Sequence, residues 1–257
     1  MTTNTSNKLN DLNAAPSRQA SRSSKTVQLA PFAVHQPQKA LAATLGLKRR
    51  NQAYIHPSWL AKALAGDRQC LFSLHLQANY SIPKGESDFD LEGYKLKHQA
   101  VLMRYVEFLE GEGYTAHTED TNSFRVTTKT GAVISAKPDI VAIHEDEVLV
   151  VDIKTGKPRA SDIAQIKLYM AMLPIAGCHN ICEIPAGQLV YQDDTFDIGA
   201  TEITTEFKQQ VSGLIGDITT KEAPPATPSA RECCWCPMSH ICPYKVDTVA
   251  EGSADWL

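Results

Sequence analysis

Apolar and polar positions divide the chain into three parts. Residues 1–30 are rich in Ser, Thr, Asn and Ala, with few large apolar groups. Such a stretch buries too little surface to offset the entropy of ordering it, so a disordered basic tail is expected over 1–35. A short helix is predicted over 36–50, ending in Lys48, Arg49 and Arg50, and another over 59–75 with Ser58 as its N-cap. The strongest helical pattern covers 95–111, where Leu96, Val101, Leu102, Tyr105, Phe108 and Leu109 recur at helical spacing. His98 lies three and four positions before Val101 and Leu102, which puts it on the same buried face. Gly111 and Gly113 end this helix.

Strand-like segments follow. One covers 124–129 and turns at Thr130-Gly131; a second covers 132–143; a third covers 148–154, after the polar turn His144-Glu145-Asp146-Glu147. Val148, Leu149, Val150 and Val151 are apolar in succession, as in the middle of a sheet covered on both faces. Thr155-Gly156-Lys157-Pro158 breaks the strand, and Ser161 is the expected cap of a helix running to Leu173 and stopped by Pro174. A weaker strand over 188–192, a helix over 202–216 and a Pro-, Thr- and Ala-rich linker over 219–230 lead to a cluster of cysteines.

Composition and charge narrow the function classes. A 257-residue chain with 43% hydrophobic residues can build a real core. No apolar run approaches the roughly 18 residues of a membrane span, and no apolar segment near the N-terminus resembles a secretory signal. The expectation is a soluble cytoplasmic protein, although the basic, acid-poor start is also similar to a transit peptide. The net charge of −4 conceals an asymmetry: residues 1–50 hold eight Lys or Arg and one acid, leaving 17 basic against 28 acidic residues over 51–257. A nucleic-acid partner would therefore have to be gripped by a local basic groove rather than by overall charge.

The strand pair holds the candidate chemistry. If the hairpin sets Ile143 opposite Val148, the same register sets Asp139 opposite Asp152, with Cβ atoms roughly 5 Å apart on one face. Like charges so placed repel unless a cation lies between them. Lys154 is two residues beyond Asp152 and projects from the same face. Two carboxylates and an ammonium at one strand end suit Mg²⁺, which takes one or two carboxylates together with water and phosphate oxygens. A strand end in which Lys154 merely neutralises an aspartate fits these residues equally well, and a one-residue slip would remove the coincidence.

Pro138-Asp139, twelve residues, then Asp152-Ile153-Lys154 resembles the signature of the PD-(D/E)xK nucleases. The run Asp152-Ile-Lys-Thr-Gly-Lys-Pro, followed by Gln165-x3-Tyr169, is similar to the RecB-like branch, and His98 matches that family's additional metal-ligand histidine. Outside the resemblance, His98 also fits a hydrogen-bonded core residue, and Gln165 with Tyr169 a packing pair one helical turn apart. The resemblance implies an α/β restriction-endonuclease-like core with a mixed central sheet flanked by helices. It implies hydrolysis of DNA phosphodiesters, with Asp139, Asp152, His98 and the Ile153 carbonyl holding Mg²⁺ or Mn²⁺. Lys154 would orient water and neutralise charge, and Gln165 and Tyr169 would position the substrate or Lys154.

Seven cysteines include Cys233-x2-Cys236-x5-Cys242, a chelate spacing found in both zinc and iron–sulfur sites. Cys70 resembles the distant first cysteine of the iron–sulfur nucleases, among them AddB-type nucleases and the CRISPR-associated RecB-like exonucleases. In that resemblance Cys70, Cys233, Cys236 and Cys242 hold a 4Fe–4S cluster that forms a cysteine-rich C-terminal strap; a structural zinc site is the alternative. Cys234 is extra, since Cys234-x-Cys236 is too short for the pattern, and Cys178 and Cys182 are read as buried or incidental. The implied domain covers 36–257, with its core at about 58–244. The implied role is a single-strand exonuclease in CRISPR spacer processing or DNA repair, acting on single-stranded ends. Lys157, Arg159 and Lys167 are the candidates for local charge, although each taken singly reads more readily as an ordinary solvated residue, and Tyr169 is a candidate stacking ring. No GxxxxGK[ST] motif occurs, so a helicase or a CRISPR integrase would be a partner. A degenerate nuclease fold serving as a DNA-binding or scaffold subunit is the alternative function.

Overall fold

A computed structural model describes residues 45–247 apart from residues 84 and 86–88. The tail expected over 1–35 and most of the helix expected over 36–50 lie outside these residues. Among the described residues the chain runs β1 (Lys48–Arg49), β2 (Tyr54–Ile55), α1 (Pro57–Leu64), α2 (Leu71–Asn79), β3 (Tyr80–Ser81), α3 (Leu91–Gly111), β4 (Thr115–Thr118), β5 (Phe124–Thr127), β6 (Val133–Ala136), β7 (Ile140–His144), β8 (Glu147–Ile153), α4 (Ala160–Ala176), β9 (Ala186–Val190), β10 (Thr195–Ile198), α5 (Thr205–Ile218) and the single turn α6 (Ala230–Cys233).

The central sheet is mixed, in the order β10-β9-β8-β7-β4. β8 is its axis, antiparallel to β7 and parallel to β9. Parallel neighbours need a crossover, and α4 is the helix between β8 and β9. The remaining strands form a smaller sheet, β2-β6-β5, and the two-stranded pair β1-β3. No helix among the described residues is long and apolar enough to cross a membrane.

Alternation along the strands decides which helix covers which face. Val141, Val150 and Leu189 pack with Ile166, Met170 and Leu173 of α4. Ile140, Ala142, Val151, Ile153 and Val190 pack with Leu102, Val106 and Leu109 of α3. Burying each such side chain contributes roughly 1.5–3 kcal/mol. Helix α4 packs tightly on Gly187, where an added Cβ would stand 2.5 Å from the Met170 sulfur and 3.2 Å from Ile166 Cδ1.

Several sequence expectations change. Lys48 and Arg49 are extended and paired with β3 rather than ending a helix. The helix expected over 59–75 is two helices, interrupted at Gly66, whose φ of +77° no right-handed helix accepts; His56, not Ser58, is the N-cap of α1. The strand expected over 132–143 splits into β6 and β7, which belong to different sheets. Pro138, which has no N–H for a ladder, lies in the gap. Arg159 rather than Ser161 occupies the cap of α4, which continues through Pro174 to Ala176. Leu96 and Phe108, expected in the core, are 74% and 53% exposed. The antiparallel strand β10 had no counterpart in the sequence pattern.

Candidate active site

The β7–β8 hairpin pairs Ile143 with Val148 and Ile140 with Val151, the register expected. Its ladder ends there, and Asp139 and Asp152 follow at the open end. Asp139 Oδ2 accepts a hydrogen bond from the Ile153 N–H at 2.7 Å, which ties the start of β7 to the end of β8. His98 reaches the same oxygen from α3, with Nε2 at 3.3 Å.

Asp152 is 2% exposed and shares the face of Val150, toward α4. Lys154 Nζ lies 2.6 Å from Asp152 Oδ2, an ion pair set off the axis of a regular hydrogen bond. Gln165, on α4, donates its amide to Asp152 Oδ1 at 3.4 Å and to the Tyr169 hydroxyl at 3.1 Å. Burial, opposed by the Lys154 charge and reinforced by Asp139, holds the Asp152 carboxyl well above the ordinary carboxylate range. Burial works against the Lys154 ammonium, but the Asp152 carboxylate outweighs it and raises that pKa too. Burial thus opposes the charge on Asp152, and the Lys154 ammonium beside it opposes that burial. A further positive charge beside a buried carboxyl favours its ionised form, so this donor set fits a divalent cation.

Among the described residues, no three His, Cys, Asp or Glu side chains are drawn together at metal-binding spacing. His98, Asp139, Asp152, Lys154 and Gln165 nevertheless form one connected network. Tyr169 joins it only from below: it is 6% exposed, so it supports Gln165 and cannot stack on a base. Lys167 is paired with Glu202 at 2.8 Å. Lys157 and Arg159 are exposed just beyond β8.

Two supporting residues were not singled out in the sequence. Asn122 is fully buried and donates to the carbonyls of His117 at 2.8 Å and Pro138 at 3.4 Å, while its Oδ1 accepts from His179 Nε2 at 2.9 Å. It thereby fixes the residue before Asp139. Asp162, in the first turn of α4, lies 3.9 Å from Lys154, accepts the Arg159 N–H at 3.1 Å and accepts the Tyr191 hydroxyl at 2.8 Å. Its position three residues after the helix cap was the one available hint.

The cysteines form a second locus. Cys70, at the N-cap of α2, lines one cavity together with Cys233, Cys236 and Cys242. Glu232 closes it: Oε1 accepts the N–H groups of Gln69 at 3.1 Å and Cys70 at 3.0 Å, joining segments more than 160 residues apart. Burial raises the pKa of Cys236 and Cys242, and the neighbouring thiols raise Cys242 further. The four thiols line this one cavity without standing at metal-binding spacing, and the charge of neighbouring thiolates would repel unless a cation lay among them. Cys234 is exposed, with its thiol on the Arg231 carbonyl, and Cys178 and Cys182 lie away from this cavity.

A family model described as the PD-(D/E)XK nuclease superfamily matches residues 69–243. The chain is also similar to a solved structure described as the crystal structure of SSO0001, with 19% identity and a TM-score of 0.46, covering 81% of this chain and 94% of that one. No curated protein matches it.

Proposed function

The chain belongs to the PD-(D/E)XK nuclease superfamily, and from that premise we propose that it is a metal-dependent deoxyribonuclease acting on single-stranded DNA ends. One observation carries the reading: Asp139, Asp152, Lys154 and His98 converge at the open end of the β7–β8 hairpin.

Asp139, Asp152, His98 and the Ile153 carbonyl would hold Mg²⁺ or Mn²⁺. When bound, such an ion supplies the Lewis-acid chemistry that phosphodiester hydrolysis needs. The chain's own residues do the rest. The Ile153 N–H fixes one oxygen of Asp139 and leaves the other for a ligand. Gln165 holds Asp152 Oδ1 at 3.4 Å, while Lys154 lies against Oδ2. Lys154 keeps its proton beside Asp152, so its ammonium is available to orient a water and to offset negative charge developing on the phosphate.

The RecB-like branch, with a role in CRISPR spacer processing or DNA repair beside a helicase or integrase, is part of this proposal. So is a 4Fe–4S cluster on Cys70, Cys233, Cys236 and Cys242, which would supply a cross-link between distant chain segments. The shared cavity supports it. The net charge of −11 outside the first 50 residues disfavours gripping long duplex by phosphate neutralisation alone. The substrate test compares linear single strands, circular single strands and blunt duplex at equal salt. Preferential cutting of linear single strands is expected. Rapid cutting of circles, or a preference for blunt duplex, would refute the end-directed single-strand reading.

A further inference from the structure

The N-terminal half of α3 is built against the usual economy of a helix. Its contribution to the core begins at Val101, and Leu91, Tyr94, Lys95, Leu96, Lys97, Gln99 and Ala100 are all exposed. This half extends about 15 Å beyond its packed portion. It does not rely on the core for its start: Asp90 caps it by accepting the Gly93 N–H at 2.9 Å.

Along it runs a row of rings. Phe89 meets Tyr94 with centroids 5.6 Å apart, and Tyr94 stacks on His98 at 6.0 Å with 30° between the planes. His98 in turn reaches Asp139 at 3.3 Å. The row thus leads from solvent to the carboxylates, with Phe89 62% and Tyr94 42% exposed. Its stack on His98, which reaches Asp139, sets the half-exposed Tyr94 ring beside the carboxylates. Lys95 and Lys97 are exposed on the same turns, and Lys157 and Arg159 beyond β8.

We infer that Phe89 and Tyr94 are a stacking platform for the unpaired bases of a single DNA strand, and that this platform selects the strand presented to Asp139, Asp152 and Lys154. The inference rests on the nuclease reading above and names the residues that give it its substrate preference. Rings with lysines exposed on the same helix match the two faces of such a strand. Bases stack on aromatic side chains whatever their sequence, while the phosphates accept Lys and Arg. A duplex hides its base faces within its own stack, so it gains nothing from this row. Continuity of the rings with the carboxylates, and the flanking lysines, favour a nucleic-acid strand over a protein partner.

The test measures binding of a short labelled oligothymidylate to the full chain in EDTA, where no cleavage occurs, and then KM and kcat on the same strand with Mn²⁺. Tyr94→Ala is expected to weaken binding by roughly 5-fold to 150-fold, the range of one lost base stack, and to raise KM more than it lowers kcat. Tyr94→Phe keeps the ring and is expected to stay within about twofold of wild type. Phe89→Ala is expected to show a smaller loss. Thermal melting checks that each variant is folded. A wild type that cuts single strands while Tyr94→Ala leaves affinity and KM unchanged overturns the platform and spares the nuclease reading. A wild type that neither binds nor cuts DNA overturns both. A concentration-dependent dimer that Tyr94→Ala dissociates, with oligonucleotide binding unchanged, assigns the face to a second copy and also overturns the inference.

Discussion

Replacing Asn122 with alanine should unfasten the Pro138–Asp139 segment from the structure that holds it. The side chain makes two donations, to the His117 carbonyl at 2.8 Å and the Pro138 carbonyl at 3.4 Å, and one acceptance, from His179 Nε2 at 2.9 Å. That acceptance requires the His179 proton on Nε2. Each well-formed bond contributes about 1 kcal/mol net, and buried carbonyls left without a donor raise the cost, so Asn122→Ala should lose roughly 2–4 kcal/mol. For a chain of this size that is a fall in Tm of about 5–12 °C. The functional effect should exceed what stability explains. Pro138 precedes the carboxylate that bridges His98 and the Ile153 N–H, and a displacement of about 1 Å at a reacting centre costs up to ~100-fold in rate. The assay is thermal melting together with kcat on single-stranded DNA, measured well below the Tm of the variant. Asn122→Asp, which turns a carboxylate toward two carbonyl oxygens, should fare no better. An Asn122→Ala protein that melts within about 1 °C of wild type and cuts DNA at the wild-type rate would refute this reasoning.

The buried His75 has its pKa pushed down to about 4, mainly by burial, with a hydrogen bond to Ile218 opposing and Arg49 assisting. Because the folded pKa is depressed, this contribution is complete above the unfolded value near 6.5. It is lost as pH falls toward 4, by roughly 2 kcal/mol after allowance for screening. Denaturant unfolding between those pH values should therefore show a flatter acid limb for His75→Gln, and identical limbs would contradict the burial argument. Anaerobically purified protein should be brown and contain iron and sulfide; Cys70→Ser, Cys236→Ser or Cys242→Ser should bleach it, and Cys234→Ser should not. Glu232→Ala should lower cluster content while Glu232→Gln, which keeps an acceptor for Gln69 and Cys70, largely retains it. Stoichiometric zinc without iron would count against the cluster.

Much of this site was legible because its signals are local. Period-two alternation and a short polar turn were enough to set Ile143 against Val148 and bring Asp139, Asp152 and Lys154 to one strand end. The same reasoning failed where tertiary context decides. Helical periodicity assigned Leu96 to the core, but α3 is longer than its packed contact, and the excess stands in solvent beside the site. Tyr169 was a candidate stacking ring, and its spacing from Gln165 says which helix face it shares, not that this face is covered. A break at Pro138 was readable in principle, since proline cannot donate to a ladder, yet the flanking apolar residues gave one continuous strand pattern. Asn122 and Glu232 act only through partners brought near by folding, so nothing in their own neighbourhoods marks them.

The most direct measurement of the central claim is cleavage of an end-labelled single-stranded oligonucleotide by purified protein. It compares wild type with Asp139→Ala, Asp152→Ala and Lys154→Ala, each with Mn²⁺ and with EDTA. The account predicts cleavage by wild type with Mn²⁺ alone, and a loss on the order of 10²-fold or more in each variant at unchanged fold. Full activity of Asp152→Ala, or wild-type cleavage that persists in EDTA, would contradict it.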